Sequence, residues 1–302
     1  MLLLLVLIVA TLLRQHFSPY AMELASSEFM PRGLELVLSG VLLFATAVTT
    51  NRMAVRIGLF NDFCALPLSL YAVVGCGIYL SPDALAVASA AFAVALGVLL
   101  LLGTLHTSNN KEMPLFCGVL FGVALLCYPP SLTFAAVLVV AAWVVPLNPR
   151  QLLAATAGYL LPVVAASYVS WYCGADIGAV VTGIAEQLTL ADRAFNFEVL
   201  PVGAITVAVL VAVLVGAAAL YLHLRRGSML SDTRKGVMLL YAVLAAALAA
   251  ALLPSADVGF LALAAIPVAV IVAALLNRID NGSADILYIL LMVVMLLHLF
   301  IE

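Results

Sequence analysis

The segment Leu125–Phe134 reads LLCYPPSLTF, two adjacent prolines inside an apolar run that extends from Pro114 to Leu147. Its reading decides which way every later segment faces. As one helix the 34 residues of that run would measure about 51 Å, which demands extreme tilt in a hydrocarbon core of about 30 Å. Divided at the prolines they give pieces of about 21 and 24 Å, short for spans but usable within a bundle. Proline disfavours the α region for the residue before it, so Tyr128 and Pro129 are both pushed toward extended geometry. Ser131 directly after is then a fitting N-cap for a return helix. These features predict the turn of a helical hairpin, against the competing reading of one kinked span.

The rest of the chain sets the environment for that turn. Its 302 residues are 67% hydrophobic and 9% charged, with a mean hydropathy of +1.27, whereas soluble domains carry about 25% charged residues. This composition belongs to a polytopic membrane protein. A formal charge of -3 implies neither a nucleic-acid partner nor a lipid partner held by a polybasic segment, and the charges fall almost entirely between apolar runs. The five cysteines, Cys64, Cys76, Cys117, Cys127 and Cys173, include no C-x-x-C pair and read as buried free thiols.

Apolar runs fall at about 2–13, 33–50, 63–81, 84–106, 114–127, 131–146, 152–172, 200–224, 237–254, 258–277 and 285–301. The expected fold is therefore all-α, a single membrane helix bundle over residues 1–302 with about eleven transmembrane helices. Alanine-rich stretches such as YAVLAAALAAALL (Tyr241–Leu253) allow close helix approach in lipid. The first run, 13 residues or about 20 Å long, is short for a span. It has neither a basic flank before it nor a small-residue cleavage site after it, which argues against a cleaved signal peptide. A start placed too far downstream, or a first helix extended through Arg14–Phe17, accounts for it better.

With a cytoplasmic N-terminus, eleven helices put Arg52, Arg56, Lys111, Arg150, Arg225, Arg226, Arg234, Lys235 and Arg278 inside, and Arg14, Arg32 and Arg193 outside. The single-span alternative gives eight against four at best, so the charge rule prefers the turn by one residue. Tyr79, Tyr128, Trp171 and Tyr172 would then lie at outer helix ends, in the headgroup layer.

Chemistry-bearing motifs are sparse. No phosphate-binding loop, H-E-x-x-H helix, G-x-S-x-G elbow or EF-hand spacing occurs, and no cofactor or metal is expected. The histidines, His16, His106, His223 and His298, are far apart in sequence near helix ends and read as interfacial side chains. The first outer loop, residues 14–32, carries Glu23 and Glu28, with Glu35 in the first turn of the next helix. A carboxylate there suits a general base or a cation shared with a phosphate substrate; the plainer reading is an interfacial helix flanked by Glu23 and Glu28, with Glu35 complementing a helix dipole. The second outer loop, residues 173–199, places Ile177, Val180, Val181, Ile184 and Leu188 at helical spacing opposite Thr182, Glu186 and Gln187. That pattern predicts an amphipathic helix lying along the outer surface. No Asp, Glu, Lys or Arg falls at a predicted helix centre, which weighs against an ion-coupled carrier. Pro67, Pro162 and Pro267 mark helices whose interruption would expose backbone carbonyls to a cavity.

The segment Lys111–Tyr172 resembles an uncharacterised bacterial envelope family, the domain-of-unknown-function family 6427. The features that carry the likeness are Leu115-Phe116, Gly118 and Gly122 four apart, Tyr128 with Pro130-Ser131-Leu132, Pro146-Leu147-Asn148 with Arg150, and Gly158 followed by Pro162. The resemblance implies a multi-pass protein of the bacterial inner membrane. The layout is also distantly similar to the GT-C superfamily of glycosyltransferases that use polyprenyl-phosphate sugars, in which an acidic residue of the first outer loop is catalytic. Glu23 and Glu28 are the positions that likeness would make catalytic. Because no complete active site is present, the expectation is a non-catalytic component of envelope glycolipid or lipid-linked sugar assembly. The alternatives are a GT-C-like transferase and a carrier or lipid flippase. Expected partners are membrane lipids, together with a polyprenyl-phosphate lipid or another envelope protein.

Overall fold

The computed structural model describes residues 32–60, 65–74, 84–106, 112–145, 148–189, 202–253, 256, 259–279, 286, 288 and 289. Glu23, Glu28 and nearly all of the first outer loop lie outside these residues, as do the first apolar run and most of the last. The described chain is helical throughout. Its α-helices are α1 (Arg32–Arg56), α2 (Leu66–Val74), α3 (Ala84–His106), α4 (Met113–Cys127), α5 (Ala135–Val144), α6 (Pro149–Tyr172), α7 (Ala179–Thr189), α8 (Val202–Leu224), α9 (Ser231–Ala251) and α10 (Phe260–Leu276). Of these, α1, α3, α6 and α9 are long and apolar enough to cross a membrane. The core helix is α10, whose residues are almost all buried.

The double proline divides α4 from α5. Tyr128 is extended (φ -144°, ψ 96°), and Pro129–Phe134 form a short 3-10 helix that runs into α5. The chain reverses here. Phe121, seven residues before Tyr128, and Phe134, six after it, bring their rings to 6.2 Å between centroids, which a continuing helix would hold about 20 Å apart. The packing of α6 on α4 requires the same reversal. A Cβ on Gly118 would fall inside the carbonyl of Ala155, one on Gly122 inside that of Tyr159, and one on Gly158 inside that of Leu115. Moving four residues along α4 thus moves about four along α6, so the two helices run parallel, and α5 must bring the chain back between them. Glycines at this seam let the backbones touch, the small-residue packing that lipid favours. The ring of Pro162 seats against Gly122, so this proline lies within a continuous α6 instead of interrupting it. Pro267 likewise sits inside a continuous α10, and Pro67 is in the first turn of α2.

Three details of the turn differ from expectation. Pro129 is not extended like Tyr128 but opens the 3-10 helix, where the ring's fixed φ is already helical. Tyr128 is only 6% exposed, since the reversal aims it back into the bundle and away from a headgroup layer. Ser131 caps nothing: it is the third residue of the 3-10 helix, fully buried, and its Oγ has no hydrogen-bond partner within the protein. Trp171 and Tyr172, at the end of α6, are exposed as an interfacial pair would be, and Tyr79 lies outside the described residues. From Arg150 to Trp171 that helix rises about 31 Å, close to the thickness of a hydrocarbon core. Its outward face between them, Leu153, Leu160, Leu161 and Val164, is apolar and exposed.

Contacts at the helix ends fix which termini share a side. Arg56, ending α1, lays its guanidinium against Gly103 in the last turn of α3 and near Met113, which opens α4. Gly58, with φ +78°, turns the chain beside Thr233, and Gly236 receives Ile57, so α9 also starts here. The short connection Arg225–Leu230 brings the end of α8 to the same place. The parallel register of α6 adds Arg150, and α10, returning from the far end of α9, adds Arg278. Hence Arg52, Arg56, Arg150, Arg225, Arg226, Arg234, Lys235 and Arg278 gather at one end of the bundle. The double-proline turn, the end of α6, Asp176 and Glu186 occupy the other.

The amphipathic helix expected in the second outer loop is α7. It packs on α6 and on the 3-10 segment, turning Val180, Ile184 and Leu188 inward while Val181, Thr182, Glu186 and Gln187 face out. Gly174, with φ +94°, takes the left-handed conformation that glycine adopts without steric cost, and so allows the tight exit from α6.

Candidate functional site

Polar groups within the bundle concentrate on α1. This helix continues six residues beyond the expected boundary at Thr50, because Thr46, Thr50 and Asn51 extend the inward stripe that Leu43 and Ala47 begin and Ala54 completes. Thr46, Thr49 and Thr50 donate their hydroxyls to the carbonyls of Leu42, Ala45 and Thr46 at 2.8, 2.8 and 2.9 Å, so each is satisfied within its own helix. Asn51 is different. It is fully buried, and neither its amide oxygen nor its amide nitrogen has a hydrogen-bond partner within the protein. An unpaired buried amide costs about 1–3 kcal/mol. A T-T-N run that keeps helical period with the apolar positions before it was the sequence signal for this stripe, but the neighbouring Arg52 drew it into a loop.

The second concentration is at the basic end. A cavity of about 130 Å³ opens between α8 and α9, lined by Leu222, His223, Arg226, Met229, Arg234, Val237, Met238 and Tyr241. Its shape follows from the chain's local structure. Arg225 stacks over the Tyr221 ring at 5.5 Å, and the Ser228 hydroxyl donates to the Arg225 carbonyl at 2.9 Å. Together they tighten the Arg226–Ser228 3-10 turn. Tyr241 donates to the Ala219 carbonyl at 3.3 Å, which ties α9 to α8 one level deeper. Arg234, Val237, Met238 and Tyr241 stand on one face of α9 by helical spacing, and no acidic residue is among the lining side chains. In sequence these arginines are topology markers; only the turn that sets α8 and α9 side by side, each packed on α10, converts two of them into the rim of a cavity. His223, expected as an interfacial side chain, is exposed and lies on that rim.

The residues singled out for acid–base chemistry do not converge among the described residues. Glu35 is half-buried in the first turn of α1, while Asp176 and Glu186 are exposed near and on α7; Asp192 and Glu198 lie outside the described residues, with Glu23 and Glu28. No cluster of three or more His, Cys, Asp or Glu side chains suited to a metal occurs among the described residues. Of the described cysteines, Cys117 is buried, Cys127 half-buried and Cys173 exposed, all with free thiols; Cys64 and Cys76 lie outside the described residues. Cys173 therefore departs from the expected buried set, because it lies just past the end of α6 where the chain leaves the bundle.

Compared with known proteins, residues 3–302 match the model of a family described as a family of unknown function (DUF6427). No curated protein and no solved structure matches the chain.

Proposed function

The chain belongs to the DUF6427 family, and from that premise we propose that it is a multi-pass inner-membrane protein, with about eleven spans and a cytoplasmic N-terminus, that serves as a non-catalytic component of envelope glycolipid or lipid-linked sugar assembly. The observation that carries the orientation is the gathering of eight basic side chains at one end of a bundle whose flank is apolar. Positively charged residues accumulate on the cytoplasmic side of membrane proteins, so that end faces the cytoplasm and the double-proline turn and α7 face outward. The aromatic residues agree, with Trp143 exposed at the end of α5 and Trp171 and Tyr172 exposed at the end of α6, on opposite sides of the bundle.

A scaffolding or binding role is favoured over transport by the interior. Among the described residues Pro162 and Pro267 stand in unbroken helices, and the gap where α2, α8 and α10 meet is apolar and only about 10 Å³. A carrier needs a polar midplane site between discontinuous helices. The GT-C-like alternative rests on Glu23 and Glu28. Purification in native lipid followed by mass spectrometry of co-purifying species tests the role. A defined partner enzyme in stoichiometric amount is expected; sugar transfer by the isolated chain, abolished by Glu23→Gln or Glu28→Gln, would overturn it in favour of the transferase.

A further inference from the structure

We infer that the cavity between α8 and α9 is a binding site for the phosphate headgroup of an anionic lipid. The inference rests on the orientation proposed above only for the leaflet concerned, the cytoplasmic one. Three features of the site select this ligand. Its rim carries two arginines: Arg226 and Arg234 line it beside His223, with no acidic residue among the lining side chains, and arginine's planar donor fork matches phosphate oxygens two at a time. Arg225 does not compete for the same role, because its guanidinium is occupied over Tyr221. The floor is apolar, formed by Leu222, Val237 and the two methionines, so a free inorganic anion would leave most of the surface unmatched. A ligand with phosphate and hydrocarbon joined in one molecule uses both halves.

The position is equally specific. These side chains stand at the ends of two helices where the apolar flank gives way to the basic end, the depth at which a lipid phosphate lies. The cavity of about 130 Å³ far exceeds the roughly 10–15 Å³ that one water requires, which leaves room for a headgroup between the arginines and the glyceryl or prenyl carbons below. The bond from Tyr241 to the Ala219 carbonyl joins α9 to α8 beneath this space. The other basic residues at this end raise the local concentration of anionic lipid without contacting it.

The test uses the full chain in neutral detergent and follows thermal unfolding while short-chain phosphatidic acid is added. Short-chain phosphatidylcholine and inorganic phosphate serve as comparison probes. Phosphatidic acid is expected to raise the melting temperature saturably, and the double variant R226Q/R234Q to weaken its apparent affinity at least tenfold. Arg150→Gln, at the same end but outside the cavity, should leave that affinity unchanged. An equal response to phosphatidylcholine, an equal response of R226Q/R234Q and wild type, or an equal shift by inorganic phosphate alone would each overturn the assignment. Should the double variant fail to fold, Met229→Trp fills the floor without touching the charges and must reduce binding by the same criterion. Sidedness is read separately. Retained lipid binding with the basic end found outside would remove the orientation and leave the site; lost binding with the basic end inside would do the reverse.

Discussion

Replacing Gly158 by alanine tests the seam that sets the bundle's topology. A methyl group there would overlap the Leu115 carbonyl and come within 3.2 Å of the Val119 nitrogen. Both are backbone atoms of a regular helix, so neither can rotate away, and α4 and α6 must separate by about 1 Å to restore van der Waals distances. Overpacking of this kind costs about 1–3 kcal/mol, and alanine's helix propensity returns up to about 1 kcal/mol. With backbone atoms as the obstacle the upper part of that range, about 2–3 kcal/mol, applies, so the net destabilisation is about 1–2 kcal/mol, which for a chain of this length lowers the melting temperature by about 2–4 °C. A local reporter is available in Cys117, fully buried beside Gly118. In a variant that keeps Cys117 as its sole cysteine, a thiol-reactive fluorogenic dye follows both global melting and local opening of α4. Gly158→Ala should lower the melting point and speed Cys117 labelling below it, whereas Gly216→Ala, whose new methyl meets nothing, should do neither. Unchanged melting and unchanged Cys117 protection in Gly158→Ala would refute the parallel backbone contact, and with it the argument that the chain reverses at Tyr128.

Three further outcomes follow from individual side chains. Asn51→Leu removes the unpaired buried amide at similar volume and should stabilise the protein by about 1–3 kcal/mol in thermal unfolding; a loss of similar size would show that the amide is satisfied in the membrane and needed. Gly58→Ala forces a side chain into the left-handed region beside Thr233 and should cost about 1–2 kcal/mol, measured in the same assay, with no loss contradicting the tight turn between α1 and α2. Gly118→Ala combined with Gly158→Ala should destabilise by less than the sum of the two single changes, because once α4 and α6 have parted the second methyl meets open space.

Much of the helical order was legible because apolar runs in a membrane chain have few ways to end. The run 84–106 coincides with α3, and 114–127 and 152–172 fall within a few residues of α4 and α6. Errors arose where a polar residue stood for a boundary: Asn51 and Arg52 read as loop, yet the helix carries both, one inward and one outward, before ending at Arg56. The double-proline turn was legible from local stereochemistry, since proline pushes the residue before it, Tyr128, out of the α region. The direction of Tyr128 and the burial of Ser131 were not, because they depend on which helix the returning chain meets. Gly118, Gly122 and Gly158 stood out in sequence, but only the fold pairs them across one seam. The basic cavity was hidden for the same reason, its arginines separated by a turn whose two helices had first to be set side by side against α10.

The central claim, a membrane bundle with its basic end in the cytoplasm and the double-proline end outside, is tested most directly by sidedness of labelling. Cys173 is exposed just past the end of α6 that lies opposite the basic residues, and Ser228→Cys places a thiol in the exposed basic turn between α8 and α9. In intact spheroplasts a membrane-impermeant maleimide should modify a chain with Cys173 alone, and should modify a chain with Ser228→Cys alone only after permeabilisation. The opposite pattern would invert the orientation; labelling of both thiols from the same side would contradict the arrangement of α6, α8 and α9 itself.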